Sequence, residues 1–366
     1  MMHMNRPSSI GRHLAIPIAG NSLAEMMVGL AVGLVVMAVV LKVGVLFDAR
    51  RKSVSGMAEA NVDGTFGMLS LVRELRMAGN GLGPPDALRC DLTRATGAAL
   101  GPALPLQPML IVNGIASAPD TIELLATGKA QSLPAARLIA AYAQGSAGLS
   151  VDSTFGVLPG DWLMLQQAGI QRCLLLQAAV IPIGAYRIEP AALPNQAVPA
   201  GAYASGSALV NLGTLHRLRF SVGSDATLQQ GQFDIATGKW SSNALASNIV
   251  NLQAQYGIDA RPGAQPVPAV SRWTDDIIDA DGNGIVGEAG DWQRVLAVRI
   301  AIVMRSAQRK DGDCDASTPT WTAGDAATGQ LGPVSLSIGT AVNANCFRYR
   351  VIEAEIPLRN LLWSDT

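Results

Sequence analysis

The sequence predicts an α+β protein: a long N-terminal α-helix, membrane-type in its first half and amphipathic in its second, packed on an antiparallel β-sheet head with long loops. Three observations predict it. Residues 26–41 form an apolar run without a charge. Val62, Phe66, Leu69, Val72 and Leu75 then recur at spacings of three and four, the mark of one helical face. After Pro84-Pro85 the chain changes to short apolar runs between Gly, Pro and Ser turns. A helix followed by a run of such strands belongs to the α+β class.

Residues 1–20 fit a leader. Arg6 and Arg12 supply positive charge, and Ala19-Gly20 offers small residues for a peptidase. An ordinary secretory signal is cut after its apolar region, whereas here the small-residue site precedes it. From residue 21 to residue 47 the run is long enough for a bilayer, which takes roughly 20 residues. Glu25 stands at its head as a lone carboxylate, and such a group at the edge of a membrane segment persists when it has a partner or a task. Lys42, near the far end, is placed to reach the interface. Gly29, Ala31, Gly33 and Ala38 suit close helix–helix contact in lipid, Gly29-x-x-x-Gly33 being the sharpest pair. The amphipathic stripe follows, with Arg73, Glu74 and Arg76 off it. Gly79, Gly81, Gly83 and Pro84-Pro85 stop the helix, so it spans residue 21 to about residue 78. The organisation expected is a leader over 1–20, a helix over 21–79 and a β-rich head over 80–366.

In the head, strands are expected over 121–126, 161–166, 173–181, 215–222, 232–235, 250–257, 295–305 and 347–357, with Pro-rich loops at 101–119, 189–204 and 260–270. Charged residues make up only 15% of the 366 and the formal net charge is −1, which excludes the basic signature of a nucleic-acid binder. The four cysteines, Cys90, Cys173, Cys314 and Cys346, allow three pairings in an exported chain. Cys314 and Cys346 lie close in sequence around a Gly/Thr/Ser-rich loop and are the favoured pair, leaving Cys90 with Cys173. No spacing is C-x-x-C, which removes a zinc ribbon.

One segment has ligand chemistry. Asp279, Asp281 and Asn283 place side-chain oxygens at alternate positions, Gly284 permits a sharp turn, and the Ile285 carbonyl follows, as in the opening of an EF-hand-like calcium loop. Gly290 occupies the usual closing position, so Glu288 or Asp291 is expected to close a loop of altered length, with Asp275 or Asp276 assisting. An all-oxygen, His-free set suits calcium, in a structural role. The alternative is an Asp/Gly/Asn turn solvated without metal. Gly282-x-Gly284-x-x-Gly287 also spells a dinucleotide fingerprint, but its acidic setting repels a pyrophosphate and no βαβ pattern surrounds it. Catalysis has few candidates: His3 and His13 lie in the leader, leaving His216 on a predicted strand, and neither a G-x-S-x-G nor an H-E-x-x-H motif occurs. An enzyme is not expected.

Gly20, Leu23 and Glu25 resemble the class III signal of type IV pilins and pseudopilins, in which a small residue precedes the cut and Glu stands at mature position five. Asn21 replaces the usual Phe at position one, and Ser22-Leu23-Ala24-Glu25 replaces Thr-Leu-Ile-Glu. Further pieces are similar to PilW-type minor pilins: residues 68–79 to the end of their long helix, 248–259 to the strand before their acidic loop, and 298–306 and 349–360 to their closing strands. The resemblance implies cleavage by prepilin peptidase between Gly20 and Asn21, methylation of the new terminus, and pairing of Glu25 with the terminal amine of a neighbouring subunit. It implies packing of the helix, Gly29 and Gly33 included, with other major and minor pilins. It further implies a single-pass inner-membrane location with the head in the periplasm, and priming of pilus assembly. A minor pseudopilin of a type II secretion system shares this architecture. A membrane-anchored periplasmic calcium-dependent binding protein or enzyme is the reading from another class.

Overall fold

The computed structural model describes residues 23–82, 91–94, 104–129, 135–143, 146–167, 172–191, 203–235, 237–263, 267–309, 314, 317–324, 331–339 and 343–362. The leader, Gly20, Asn21, Cys90 and the Pro84-Pro85 stop lie outside the described residues. The first element, α1 (Leu23–Met77), is one helix of 55 residues. The chain divides into two units, residues 1–52 and residues 53–366, and α1 contributes to both.

In the first unit every residue described from Leu23 to Val45 is exposed. Among the described residues this is the helix long and apolar enough to cross a membrane. A helix that is apolar on all sides with no protein around it has its natural solvent in lipid.

In the second unit, α1 seats a face of small residues on the head. Gly56, Ala60, Gly64, Gly67, Met68, Leu71, Leu75 and Ala78 are buried. A Cβ on Gly64 would collide with Met304 Sδ, and one on Gly67 would lie 3.0 Å from Leu228 Cδ2 and 3.3 Å from Ala246 Cβ. This corrects the stripe expected from sequence: Val62, Phe66 and Leu69 are 70%, 54% and 64% exposed, Val72 is half-buried, and Leu75 alone of the five is buried. The physical reason is that the first turns of the seat are made by Gly56, Ala60, Gly64 and Gly67, small residues that allow close approach, so a pattern that weighs large apolar residues misses them and follows Val62, Phe66 and Leu69 instead. Hydrogen bonds fix the seat. Ser247 Oγ donates to Asp63 Oδ2 (2.5 Å), and Asn360 Nδ2 donates to the carbonyls of Arg76 (3.0 Å) and Ala78 (3.1 Å), satisfying helix-end acceptors. The helix stops at a turn in which Gly79 and Gly81 take φ of 79° and 69°, and the Gly79 amide donates to Leu125 O.

The head continues with β1 (Asp91–Arg94), β2 (Leu104–Pro105), β3 (Met109–Val112) and β4 (Thr121–Thr127). Then come β5 (Ala136–Arg137), β6 (Leu149–Ser150), β7 (Trp162–Gln166), β8 (Arg172–Val180), β9 (Arg187–Pro190) and β10 (Ala208–Gly213). Next are β11 (Leu215–Val222), β12 (Leu228–Asp234), β13 (Lys239–Ala246), β14 (Ile249–Ile258) and β15 (Arg272–Thr274). The chain closes with α2 (Ala289–Gln293), β16 (Val295–Arg305), β17 (Thr320–Gly324), β18 (Leu331–Ser335), β19 (Tyr349–Pro357) and α3 (Arg359–Leu362).

These strands form a five-stranded sheet in the order β13-β12-β11-β4-β3, a four-stranded sheet in the order β15-β14-β16-β19, the β17-β18 ribbon, and an eight-stranded sheet running β2-β1-β8-β7-β10-β5 with β6 and β9 joined through β8. Among the described residues all strand pairings are antiparallel except β1 with β8. The main core lies where the second half of α1 meets the five- and four-stranded sheets, with Leu71, Leu75, Phe220, Leu252, Tyr256, Ile300 and Ile302 at its centre. The strand β16 is buried on both faces: Val298, Ile300, Ile302 and Met304 serve this core, while Ala301 and Val303 meet Trp321 and Ala323 of the ribbon. Its near-continuous apolar sequence is what a strand covered on both sides requires.

Between β4 and β11, which are neighbours, the chain leaves to build most of the eight-stranded sheet. That lobe has its own core, including Leu149, Leu163, Leu165, Leu174, Leu176 and Leu209. The loop expected over 101–119 in fact holds β2 and β3; the four apolar residues of β3 follow Pro108 and pair with β4. Also not expected were β1, β5, β6, β9, β10, β13, β15, β17 and β18; several of these are only two to four residues long, and β13 (KWSSNALA) and β18 (LGPVS) are polar or broken sequences without a period-two pattern.

Candidate functional site

Two regions carry the residues singled out by the sequence. The first is the head of α1. Glu25 lies in its first turn, where a carboxylate complements the positive end of the helix dipole. Gly29 and Gly33 lie one turn apart, and a Cβ added at either would meet nothing within 4 Å. The helix therefore presents bare backbone on the face that carries them, a surface that another helix can approach closely.

The second is the acidic loop before α2. Asp279 Oδ1 accepts from the amides of Gly282 (2.8 Å) and Asn283 (3.1 Å), and Oδ2 accepts from Gly284 (2.8 Å). Asp281 Oδ1 accepts from the Asn283 amide, and Asn283 Oδ1 from that of Ile285. The turn needs left-handed backbone at Gly282 (φ 80°) and Gly284 (φ 87°), which is why glycine stands there. The same glycines would have to cradle a pyrophosphate in the dinucleotide reading; here they wind the chain around carboxylates. Bonding to the Gly284 amide above all, and to those of Gly282 and Asn283, holds the Asp279 carboxyl below the usual carboxylate range.

Asp291 arrives from α2 fully buried. Its Oδ1 accepts from Ala280 N (2.6 Å), and its Oδ2 accepts from Gly287 N (2.6 Å). One carboxylate oxygen each from Asp279, Asp281 and Asp291 lie within 4.8 Å of one another. Glu288, the other candidate for closure, instead caps α2, its Oε1 accepting from Asp291 N (3.0 Å). Asp275 and Asp276 face away toward other bonds: Asp275 Oδ1 accepts from Gln255 Nε2 and Asp276 Oδ1 from Asn113 Nδ2. The donor set brought together is all oxygen, the chemistry that suits a hard cation.

Cys314 is bonded to Cys346 across 32 residues, and Cys173 is disulfide-bonded; Cys90 lies outside the described residues. His216 is exposed on β11 beside a cleft lined by Glu74, Met77, Leu124 and Leu218. The Glu74 carboxylate is occupied by Arg73 at 2.7 Å. The sequence reading missed Asp120, which is buried and joins three segments: its carboxylate accepts from the amides of Gly114 (2.8 Å) and Ala254 (2.8 Å), and its own amide donates to Leu252 O. No local motif marks such a residue, because the Ala254 partner lies 134 residues away.

The model of the PilW family, described as type IV pilus-assembly protein W, matches residues 218–360, from within β11 to α3. No curated protein and no solved structure matches the chain.

Proposed function

We propose that this PilW-like type IV pilus protein is a minor pilin, cut by prepilin peptidase after Gly20 and incorporated into the filament through α1. The observation that carries the reading is the combination of the PilW match over residues 218–360 with an apolar N-terminal helix headed by Glu25. The helix holds the subunit in the inner membrane as a single span, with the head in the periplasm. Once Asn21 is the first residue, its amine is one positive charge and Glu25, four residues on, is one negative charge. In the low dielectric of lipid, opposite charges on neighbouring subunits attract strongly, and loss of one strands the other. Glu25 thereby sets the axial register in which this subunit joins major and minor pilins, while Gly29 and Gly33 admit the neighbouring helix. Priming of assembly is the task this arrangement serves; the subunit is not an enzyme.

The acidic loop is read as a structural calcium site, with Asp279, Asp281, Asn283 and Asp291 and the Ile285 carbonyl as its oxygens. Calcium there would neutralise converging carboxylates and stiffen the loop ahead of α2.

The test is Glu25→Ala in the native host. Loss of piliation with an unchanged head, judged by its thermal melt, is expected. Normal piliation overturns the assembly role of Glu25. Intact pili with loss of enzyme secretion on deletion of the whole chain would assign it to a type II secretion system.

A further inference from the structure

We infer, on the minor-pilin reading above, that the outer edge of β13 receives an added strand: an extended, uncharged segment from the head of a different pilin subunit. A sheet edge presents a row of unpaired N–H and C=O groups, and proteins blunt such rows with short strands, charges, proline or a cover. Among the described residues the other edges are blunted. The strands β2, β5 and β6 have two residues each, β15 three and β3 four. Pro333 interrupts β18, and β19 carries Arg350, Glu353, Glu355 and Pro357. The strand β17 is covered, with Trp321 and Ala323 buried and Gly324 bonded to Gln255 through both its N–H (2.7 Å) and its C=O (3.0 Å). By contrast β13 has eight residues, pairs with β12 from Lys239 to Ala246, and holds neither charge nor proline after Lys239.

The edge is also open. Residues 241–244 are all exposed, so both faces of the strand are bare there. Trp240, its one aromatic residue, leans inward over β12. The position a Cβ would take on Gly231 is 3.2 Å from Trp240 Cε3, and the ring centroid lies 4.0 Å from the Arg219 guanidinium. Ser241 Oγ likewise turns inward, donating to Gln232 O (3.3 Å). Main-chain geometry then identifies the occupant. Alternate residues of an antiparallel strand aim N–H and C=O away from their partner, at intervals of about 6.8 Å. Another extended backbone meets that row group for group; acyl chains cannot, and a helix keeps its main-chain groups for itself. Ser242, Asn243 and Ala244 are small and uncharged, so the added strand needs no charge opposite them. The edge ends on α1: a Cβ on Gly67 would lie 3.3 Å from Ala246 Cβ, and Ser247 bonds Asp63. Subunits gathered through α1 thus bring their heads beside it.

The test places a diazirine-bearing amino acid singly at Ser241, Asn243 and Val267 of the full chain in the native host. Intact cells are illuminated, the tagged chain is recovered from sheared pili and from membranes, and cross-links are mapped by peptide mass spectrometry. The expected result is that Ser241 and Asn243 label one segment of another pilin subunit, at points two residues apart, as strand register requires. Val267, also exposed, gives the collisional background. In the variant Ser242→Lys/Ala244→Lys, labelling from Asn243 should fall about tenfold or more, because edge lysines block strand addition. An unchanged thermal melt of the variant separates lost pairing from lost folding. Labelling no higher than at Val267, labels scattered over unrelated segments, or labels on a second copy of this chain overturn the inference. Full labelling in a folded lysine variant also overturns it. Register-spaced labels on a chain still uncut at Gly20 would uphold strand addition and reject the processing proposed above, so the two failures are distinct.

Discussion

Gly33 and Gly64 stand in the same helix, yet their surroundings are opposite. A Cβ added at Gly33 would meet nothing within 4 Å, whereas one on Gly64 would run into Met304 of β16. The first half of α1 exposes apolar side chains on every side; the second half buries Ala60, Gly64 and Gly67 together with Met68, Leu71 and Leu75 against the head. One helix thus answers to two solvents. In the apolar half, an added Cβ at Gly29 or Gly33 would meet nothing within 4 Å. In the head half, glycine is a filled contact, and the large apolar residues Val62, Phe66 and Leu69 are the ones left outside.

The largest effect that can break this comparison is expected at the two glycines themselves. Gly64→Leu overpacks the α1–β16 contact and should destabilise the head by about 3 kcal/mol, read as a fall in denaturation midpoint. Gly33→Leu should leave that midpoint unchanged and impair assembly alone. Equal melts for the two variants would mean that α1 does not seat on β16 through Gly64.

A second effect belongs only to the head. Burial, acting against the amides of Gly114 and Ala254, pushes the Asp120 carboxyl up to about 6 from an ordinary value of 3.8. The folded state then binds more protons than the unfolded state between these values. The stability contributed is fully present below about pH 4 and is lost as pH rises through about 6, an amount on the order of 2 kcal/mol. Chemical denaturation at pH 4.5 and pH 7 measures it, and Asp120→Asn should flatten the difference.

A third, smaller effect concerns the acidic loop. Calcium at tenfold its dissociation constant should stabilise the head by about 1.4 kcal/mol. Asp279→Asn should remove most of that gain, and a melt unmoved by calcium would leave the loop as a solvated turn. The smallest effect is expected on the outer face of α1: Val62→Ser and Phe66→Ser should each shift stability by no more than about 0.5 kcal/mol. A loss of several kcal/mol there would restore the stripe read from sequence.

How far the sequence was legible follows from the range of the interactions. The apolar half of α1, the limits of β11 and β16, and the alternating oxygens of Asp279, Asp281 and Asn283 are local patterns, and each is visible in a short window. The helix face was misread because Gly56, Ala60, Gly64 and Gly67 share it with Met68, Leu71 and Leu75, and small residues leave little hydrophobic signal. The short strand β3, only four residues after a proline, and the polar edge strand β13 derive their pairing from distant partners. Asp291 could be proposed as closing the acidic loop, but its burial and its triple role for the amides of Ala280, Asp281 and Gly287 depend on how α2 is placed. Glu288 is, from the sequence, only a candidate to close the loop; that its Oε1 also accepts from the Asp291 amide at the start of α2 is a contact that spacing alone does not show.

The central claim is that α1 is the assembly helix of a processed pilin, and it stands on the identity of the mature N-terminus. Intact-mass and peptide mass spectrometry after co-expression with a prepilin peptidase reads it directly. The account expects a chain that begins at Asn21, with or without an added methyl group, so that Glu25 is its fifth residue. An uncut chain, or one cut beyond Leu41, would contradict it and leave an anchored or secreted β-rich protein in its place.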